Sequence, residues 1–205
     1  MQIAWFLLGL LLWQAPSDPS ATRHTDALPA EIAAPIAALM APGGVRAAVG
    51  TNTLTFWWVK QLPVKSPGWS DLPEGSLVGA VKIEKDFRDI RGRVIKAGTY
   101  TLRYGIQPAN GDHLGVSPFR DFLLLSPAAL DKETAALGHK GTVEISKETI
   151  GGSHPAVLSI DPPVASEAAL AVHTTELGHK AIVMEVSIPG GTLRFGVVLI
   201  GKIEA

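Results

Sequence analysis

The sequence predicts a mainly β protein: an antiparallel β-sandwich, of the jelly-roll or immunoglobulin-like type, with one short N-terminal helix. Short segments of aromatic and β-branched residues recur along the chain, separated by turns that draw on 21 Gly and 15 Pro, and this punctuation is typical of all-β architecture. The composition, 46% hydrophobic and 18% charged, indicates a packed globular chain. Helices do not alternate with the strand-like segments, which argues against a doubly wound parallel sheet.

Residues 3–13 form an apolar run that fits the core of a signal peptide. The run is shorter than the ~20 residues that a membrane-spanning helix needs. We expect cleavage within residues 14–21, with Ala15-Pro16-Ser17 as the better site and Ala21 as the second. The chain then divides into a signal peptide with its cleavage region (1–21), an N-terminal extension with the short helix (22–44) and a β-sandwich domain (45–205). The mature protein is expected in the periplasm or outside the cell, without a membrane span.

The charge and cysteine content exclude several classes of function. The formal net charge is −1, and the mature chain keeps 18 basic and 18 acidic side chains once Asp18 is removed with the leader. Lys and Arg do not cluster as phosphate binding requires, so a nucleic-acid partner is not expected. The lack of Cys excludes disulfides, thiolate metal ligands and a Cys nucleophile.

The N-terminal third is expected to hold a flexible segment, a short helix and two strands. Residues 22–29 show no periodic pattern and are interpreted as a flexible start of the mature chain. Apolar residues at helical spacing predict a helix over residues 30–40, with Pro35 in its first turn. Strands follow at residues 45–49 and 53–62.

The second of these strands is rich in aromatic residues. Its alternation places Leu54, Phe56 and Trp58 on one face, which we assign to the core, and Trp57 on the opposite face. Trp57 is therefore expected to be partly exposed, or covered by a loop or a partner. The Pro- and Gly-rich loop that follows carries Trp69.

The stretch of residues 94–125 is the most informative part of the chain. Gly98 is predicted to take the positive φ of a type II turn. A half-buried strand is expected over residues 99–107. Its core face carries Tyr100, Leu102, Tyr104 and Ile106. An apolar run at residues 119–125 predicts a strand buried on both faces.

Most of the remaining segments are predicted strands. A strand at residues 77–83 precedes the central stretch, and a charged connection over residues 87–93 leads into it. One helical turn is expected around residues 128–137. Further strands are predicted at residues 142–146, 156–160, 169–174, 180–188 and 193–203. Pro189-Gly190-Gly191 supplies the hairpin turn between the last two strands.

A resemblance to a known family rests on eight residues, Ile95-Lys96-Ala97-Gly98-Thr99-Tyr100-Thr101-Leu102. They resemble the turn and strand found in uncharacterised secreted bacterial β-sandwich proteins, including the DUF2911 family. The resemblance implies a sandwich fold and export. It carries over no activity and no site residue.

The loop of residues 110–121 gathers several polar side chains. They are Asp112, His113, Ser117, Arg120 and Asp121. A Ser-His-Asp triad is not expected here, because a triad is built from separate elements and Ser117 has no nucleophile-elbow context. In the favoured, structural interpretation Asp112 caps the Asn110-Gly111 turn, while Arg120 and Asp121 pair with backbone or with charges of residues 88–93. If the loop binds a ligand, the candidate contacts are Asp112, His113, Arg120 and Asp121.

The six His residues show neither the His-x-His spacing of a strand-borne metal site nor the His-x-x-x-His spacing of a helical one. No metal and no other cofactor is therefore expected. Ligands that converge from distant loops would still form a copper or zinc site, and His113 and His154 are its preferred members.

Three functions remain open on the sequence. We expect a non-catalytic binding or assembly module of the bacterial cell envelope, whose partner is an envelope protein or an extracellular ligand. The first alternative is a metal-binding periplasmic domain. The second is a carbohydrate-binding module in which Trp57 and Trp69 stack on sugar rings, although large aromatic side chains are equally needed to fill the core.

Overall fold

The computed structural model of the chain describes residues 17–108, 119–162 and 167–201. The protein is mainly β, with 44% strand and 8% helix, so the predicted fold class is confirmed at this level. The described strands are Ser20–His24 (β1), Gly44–Val49 (β2), Asn52–Trp58 (β3), Leu77–Ile83 (β4), Phe87–Arg88 (β5), Val94–Ile95 (β6), Gly98–Ile106 (β7), Asp121–Pro127 (β8), Ala156–Asp161 (β9), Val172–Thr174 (β10), Lys180–Ile188 (β11) and Gly191–Ile200 (β12). The helices are Ala34–Ala37 (α1) and Gly138–Lys147 (α2).

Ten of these strands form one antiparallel sheet in the order β1-β2-β3-β4-β7-β8-β9-β12-β11-β10, and β5 pairs with β6 as a separate hairpin. The sheet is nearly closed and barrel-like, so the predicted sandwich subtype is not confirmed. The β5–β6 hairpin is inserted between β4 and β7, and up to β9 each strand of the sheet pairs with the sheet strand that precedes it in the chain. There β12 returns to pair with β9, which places the last four strands in a Greek-key order.

Ion pairs between β1 and β11 link the two ends of the sheet. Arg23 of β1 lies 3.4 Å from Glu185 of β11, measured between Nη2 and Oε2. Asp18, just before β1, lies 3.5 Å from the Nζ atom of Lys180. The first strand is therefore held next to the C-terminal strands, and the sheet curves back on itself.

The inner face of the sheet holds the main core. Phe56 stacks on Trp58 with ring centroids 5.5 Å apart, and Phe195 meets Trp58 edge-on at 5.3 Å. Gly79 leaves room for the Trp58 indole, since a Cβ atom on Gly79 would lie 2.8 Å from that ring. The predicted core faces of β3 and β7 are both confirmed, because their inward residues belong to this core. They are Leu54, Phe56, Trp58, Tyr100, Leu102, Tyr104 and, partly buried, Ile106.

Several predicted elements are wrong or displaced. The segment expected to be flexible, residues 22–29, begins with the last three residues of β1, and that strand pairs along its whole length with β2. The predicted strand at residues 142–146 lies within helix α2, and the charged connection at residues 87–93 includes β5. The N-terminal helix has only four residues, with Pro35 in its first turn as predicted. In the described ranges, neither helix is long and apolar enough to cross a membrane.

Gly98 does not have the predicted positive φ, so the type II turn assignment is wrong. It is the first residue of β7 and pairs with Ile83. A Cβ atom on Gly98 would lie 3.2 Å from the hydroxyl oxygen of Tyr100, which donates a hydrogen bond to the Lys96 carbonyl at 2.8 Å. The position needs a small residue because of this tyrosine, and backbone conformation does not require it.

Candidate functional site

A groove of about 420 Å³ opens on the outer face of the sheet, beside α2 and above β7, β8 and β9. Its floor is apolar and includes Phe122 and Leu124 from β8 and Val157 from β9. Val143 of α2 and Ile90 form apolar parts of its walls. These residues belong to a hydrophobic cluster that is separate from the main core. The sheet thus has a second, smaller apolar layer on its outside.

The alternation of β8 explains this second layer. Leu123 and Leu125 point into the main core, whereas Phe122 and Leu124 point outward into the smaller cluster. The predicted strand buried on both faces is therefore confirmed. Gly105 of the neighbouring strand keeps the floor flat, since a Cβ atom there would lie 2.4 Å from a methyl carbon of Leu124.

Hydrogen bonds from small polar side chains fix α2 and its C-terminal end over the sheet. The Ser146 hydroxyl donates to the carbonyl oxygen of Ala156 at 3.0 Å, and the Thr149 hydroxyl donates to that of Leu125 at 2.7 Å. At its start the helix packs against Gly75, whose φ is +81°. The wall of the groove formed by α2 is therefore held at both ends.

Titratable side chains border the apolar floor. Among the described lining residues they are Glu74, Arg91, Arg93, His139, Lys147 and His154. Three are cations at neutral pH and one is a carboxylate. That carboxylate, of Glu74, is already engaged: its Oε1 accepts a hydrogen bond from the Ile106 amide at 2.9 Å and lies 3.2 Å from His139 Nδ1. The border carries a net positive charge.

The three cationic side chains differ in the hydrogen bonds and ion pairs that they form with the protein. Arg91 donates from Nη2 to the Pro155 carbonyl at 2.8 Å, and the same nitrogen lies 3.5 Å from Asp89 Oδ2. The Nε of Arg91 is buried without a hydrogen-bond partner in the described structure. Burial lowers the pKa of Arg91. Lys147 pairs with Glu144 at 2.8 Å on the exposed side of α2. Arg93 is a half-buried residue, and within the described ranges its guanidinium has no hydrogen bond or ion pair to the protein.

Only part of the predicted polar loop can be placed. Asp112, His113 and Ser117 lie outside the described residues. The Arg120 Nε donates to the carbonyl oxygen of Gln107, a groove residue, at 2.8 Å.

Asp121 lies at the start of β8. It accepts a 2.6 Å hydrogen bond from the Tyr104 hydroxyl, another groove residue. Burial, together with this bond, raises the pKa of Tyr104, so its hydroxyl stays protonated and keeps donating.

The two candidate tryptophans lie on opposite faces of the sheet and do not share a surface. Trp57 is on the outside but only 2% exposed, because the N-terminal segment covers it. Its indole N–H donates to the Asp26 carbonyl at 3.1 Å, and its ring meets His24 edge-on. Trp69 is half-buried against the main core and stacks on Tyr104 at 5.4 Å.

A second depression, of about 490 Å³, lies on the outer face near Trp57. Its charged lining residues are Asp26, Glu31, Arg46, Lys82 and Glu84. Both signs of charge are present. Four of these five side chains form ion pairs with one another, Arg46 with Asp26 and Lys82 with Glu84. It has no apolar floor comparable to that of the groove, so the groove is the better ligand site despite its smaller volume.

Metal-ligating residues do not converge in the described part of the protein, where no group of three or more His, Asp or Glu has a suitable arrangement. His154 lies at the border of the groove, and His113 is outside the described residues. Their pairing as copper or zinc ligands stays a prediction.

A different titratable cluster joins β9 to the C-terminal edge of the sheet. His173 Nδ1 lies 2.7 Å from Glu167 Oε1, and its Nε2 lies 3.1 Å from Asp161 Oδ2. The histidine reaches across the two intervening strands over Ala181 and Gly196, where small residues leave room. Sequence spacing could not reveal this cluster, since its members come from three separate segments.

Comparisons with family models, curated proteins and solved structures found no match. The groove must therefore be interpreted from its own residues. Sequence analysis missed its cations: Arg91 and Arg93 were visible only as part of a charged connection, and Lys147 followed a segment predicted as a strand. Nothing in their spacing indicates that they meet above the outer face of β8.

Proposed function

We propose that the protein is an exported, non-catalytic binding protein of the bacterial cell envelope that holds an elongated apolar ligand in the groove beside α2. The supporting observation is the outer apolar cluster, which opens at a groove of about 420 Å³. Small-molecule sites typically have volumes of about 300–1,000 Å³ and a mainly apolar lining with a few placed polar groups.

The length of α2 supports a binding role for this face. Its ten residues span about 15 Å, so the helix covers only part of the outer surface of β7, β8 and β9. Burial of apolar surface contributes about 25 cal/mol per Å². An apolar ligand that fills the remaining opening would gain this contribution at Phe122, Leu124 and Val157.

Export is proposed on the apolar run of residues 3–13. An envelope location also suits the proposed ligand, because elongated apolar molecules are abundant at membranes and poorly soluble in water.

The test is to block the groove. Val143 is half-buried on the α2 wall, so Val143→Trp places an indole in the opening. We expect the mature protein to bind the neutral fluorescent probe N-phenyl-1-naphthylamine saturably, and Val143→Trp to weaken that binding at least tenfold. Val172→Trp is the matched control, since Val172 is 39% exposed on β10 and does not line the groove.

Fluorescence titration of the three proteins decides the matter. Equal affinity in Val143→Trp and wild type would show that the probe binds elsewhere. Absence of saturable binding to wild type would contradict the proposed function itself.

A further inference from the structure

We propose that the ligand of the groove is a single-chain alkyl carboxylate, whose head group Arg93 binds at the border while the chain lies on the apolar floor. This inference rests on the proposed binding function and adds the charge and size of the ligand.

The charge around the floor selects an anion. Three cations and one carboxylate border the groove in the described structure, and that carboxylate, of Glu74, already has two internal neighbours. A cationic head group would meet Arg91, Arg93 and Lys147, and the described lining residues offer it no unengaged carboxylate. An anionic one complements them, and partial desolvation at the groove strengthens that attraction.

Arg93 is the residue best placed to receive the head group. Arg91 donates to the Pro155 carbonyl and pairs with Asp89, and Lys147 pairs with Glu144. Arg93, a half-buried residue, has no such bond from its side chain in the described structure. A guanidinium offers a planar fork of N–H donors that matches the two oxygens of a carboxylate. The protein thus holds an unused bidentate donor at the edge of an apolar floor.

Arg91 lines the same groove as Arg93, but it already has a counter-charge. Its Nη2 lies 3.5 Å from Asp89 Oδ2, a buried oxygen without a hydrogen bond in the described structure. Arg93 is therefore the groove cation that an incoming anion would neutralise.

The size of the groove suits one chain. Its volume of about 420 Å³ lies near the lower end of the ~300–1,000 Å³ typical of small-molecule sites. We therefore infer a single-chain fatty acid, and not a diacyl phospholipid, as the occupant.

Four ligands with the same tail test the head group. Dodecanoate, dodecyl phosphate, dodecanol and dodecylammonium are each titrated, below their aggregation concentrations, against wild-type mature protein carrying N-phenyl-1-naphthylamine. We expect dodecanoate to displace the probe about tenfold more tightly than dodecanol, as one charge-assisted hydrogen-bonded contact provides, and dodecylammonium to be the weakest. Tighter binding of dodecyl phosphate than of dodecanoate would overturn the carboxylate assignment.

Arg93→Gln tests the residue. It is expected to lower the dodecanoate-to-dodecanol affinity ratio from about ten toward one, with Arg93→Lys intermediate because it keeps the charge but loses the fork. Arg23→Gln is the matched control, since Arg23 is 68% exposed on β1 and does not line the groove. An unchanged ratio in Arg93→Gln, or equal binding of dodecanoate and dodecanol to wild type, would overturn the inference while probe binding still supports the groove. Failure of the probe and of all four ligands to bind would instead overturn the proposed function.

Discussion

At the scale of single residues, the tightest constraint is the ion pair between Arg103 and Asp131, both fully buried. Two guanidinium N–H groups bond the carboxylate at 2.6 and 2.8 Å. The other three donate to the carbonyl oxygens of Gly75, Glu133 and Ala135. All five donors are thus used, and the segment that leads into α2 is fixed to β7.

Asp131→Asn should be strongly destabilising. The substitution leaves the buried guanidinium without its counter-charge, and breaking a buried pair in this way costs about 3–5 kcal/mol. Urea unfolding measures the loss. Glu185→Gln is the control, because Glu185 pairs with exposed arginines and its removal should cost no more than about 1 kcal/mol. Similar losses at the two sites would contradict this account of Arg103.

The sequence was informative at this scale wherever strand alternation decides the outcome. Strand alternation predicted that Trp58 lies in the core and that Trp57 lies on the opposite face. Trp57 is covered there by the N-terminal segment, one of the outcomes expected for it. The sequence was misleading where the burial of a side chain depends on a segment that is distant in the chain. Arg103 occupies an outward position that suggests exposure, but the segment of residues 131–135 buries it. The free guanidinium of Arg93 likewise depends on which segments meet there.

At the scale of elements, the contact between Gly75 and the start of α2 should be intolerant of substitution. A Cβ atom on Gly75 would lie 2.5 Å from Thr142 Oγ1 and 2.6 Å from the Gly138 amide nitrogen. Its φ of +81° adds backbone strain. Gly75→Ala should therefore cost about 2–4 kcal/mol, the sum of strain and overpacking.

Gly50→Ala separates these two causes. Gly50 also has a positive φ, of 57°, but a Cβ atom there meets nothing within 4 Å. The control should lose only about 1 kcal/mol. Thermal or urea unfolding of both variants measures the two losses of stability. Equal losses would show that α2 moves to accommodate the added methyl group.

The histidine cluster gives the C-terminal edge of the sheet a pH-dependent contribution. Burial lowers the pKa of His173, but the bonds and charges of Glu167 and then Asp161 raise it by more, so the net pKa is above its ordinary value. Protonated His173 therefore stabilises the folded protein. This contribution is complete below about pH 6.5, the ordinary pKa, and is lost as the pH rises through the raised value.

Unfolding free energies measured from pH 6 to pH 9 test this contribution. The wild type should lose stability over that range, and His173→Gln should lose less. Other titratable groups near the pair are Glu176 and His179, as well as the carboxyl of Asp161, whose own pKa is raised by burial. His139→Gln is the control for an exposed histidine paired with one carboxylate. A slope in His173→Gln as steep as that of wild type would assign the effect to the other groups.

Most of the elements themselves could be predicted, and the failures have physical reasons. The strands β4 and β11 match their predicted bounds. Apolar and β-branched residues are concentrated in such buried strands, so a short stretch of sequence is enough to recognise them. Helix α2 was missed since its segment is rich in β-branched residues, and its buried residues Thr142 and Ser146 are polar and small. Strand β1 was missed because it is a polar strand whose place depends on pairing with β2.

At the scale of the whole molecule, β1 limits where the proposed export signal could be removed. Ser20 and Ala21 already pair with Ala48 and Ala47 of β2. Cleavage after Ala21 would delete the first two pairs. Cleavage after Ser17 leaves β1 whole and keeps Asp18, which removal of residues 1–21 would have taken away. We expect the mature N-terminus to precede Ser20.

Mass spectrometry of protein from the envelope fraction measures this terminus. A mature species beginning at Thr22 would contradict the expectation, and a species beginning at Met1 would contradict processing itself. A variant with Ala15 and Ser17 both replaced by bulky residues serves as the control, because it should block the preferred site while leaving Ala21 available.

The return of β12 to β9 has a consequence for biosynthesis. A nascent chain emerges N-terminus first, so each strand up to β9 finds its earlier neighbour already made. The far edge of β9 must wait, because β9 ends at Asp161 and its second partner begins at Gly191. Until those last strands have emerged, whether from the ribosome or from the export machinery, the far edge of β9 is unpaired, and unpaired edges are templates for intermolecular pairing. Chains truncated before β12 should therefore aggregate more readily than the full-length chain.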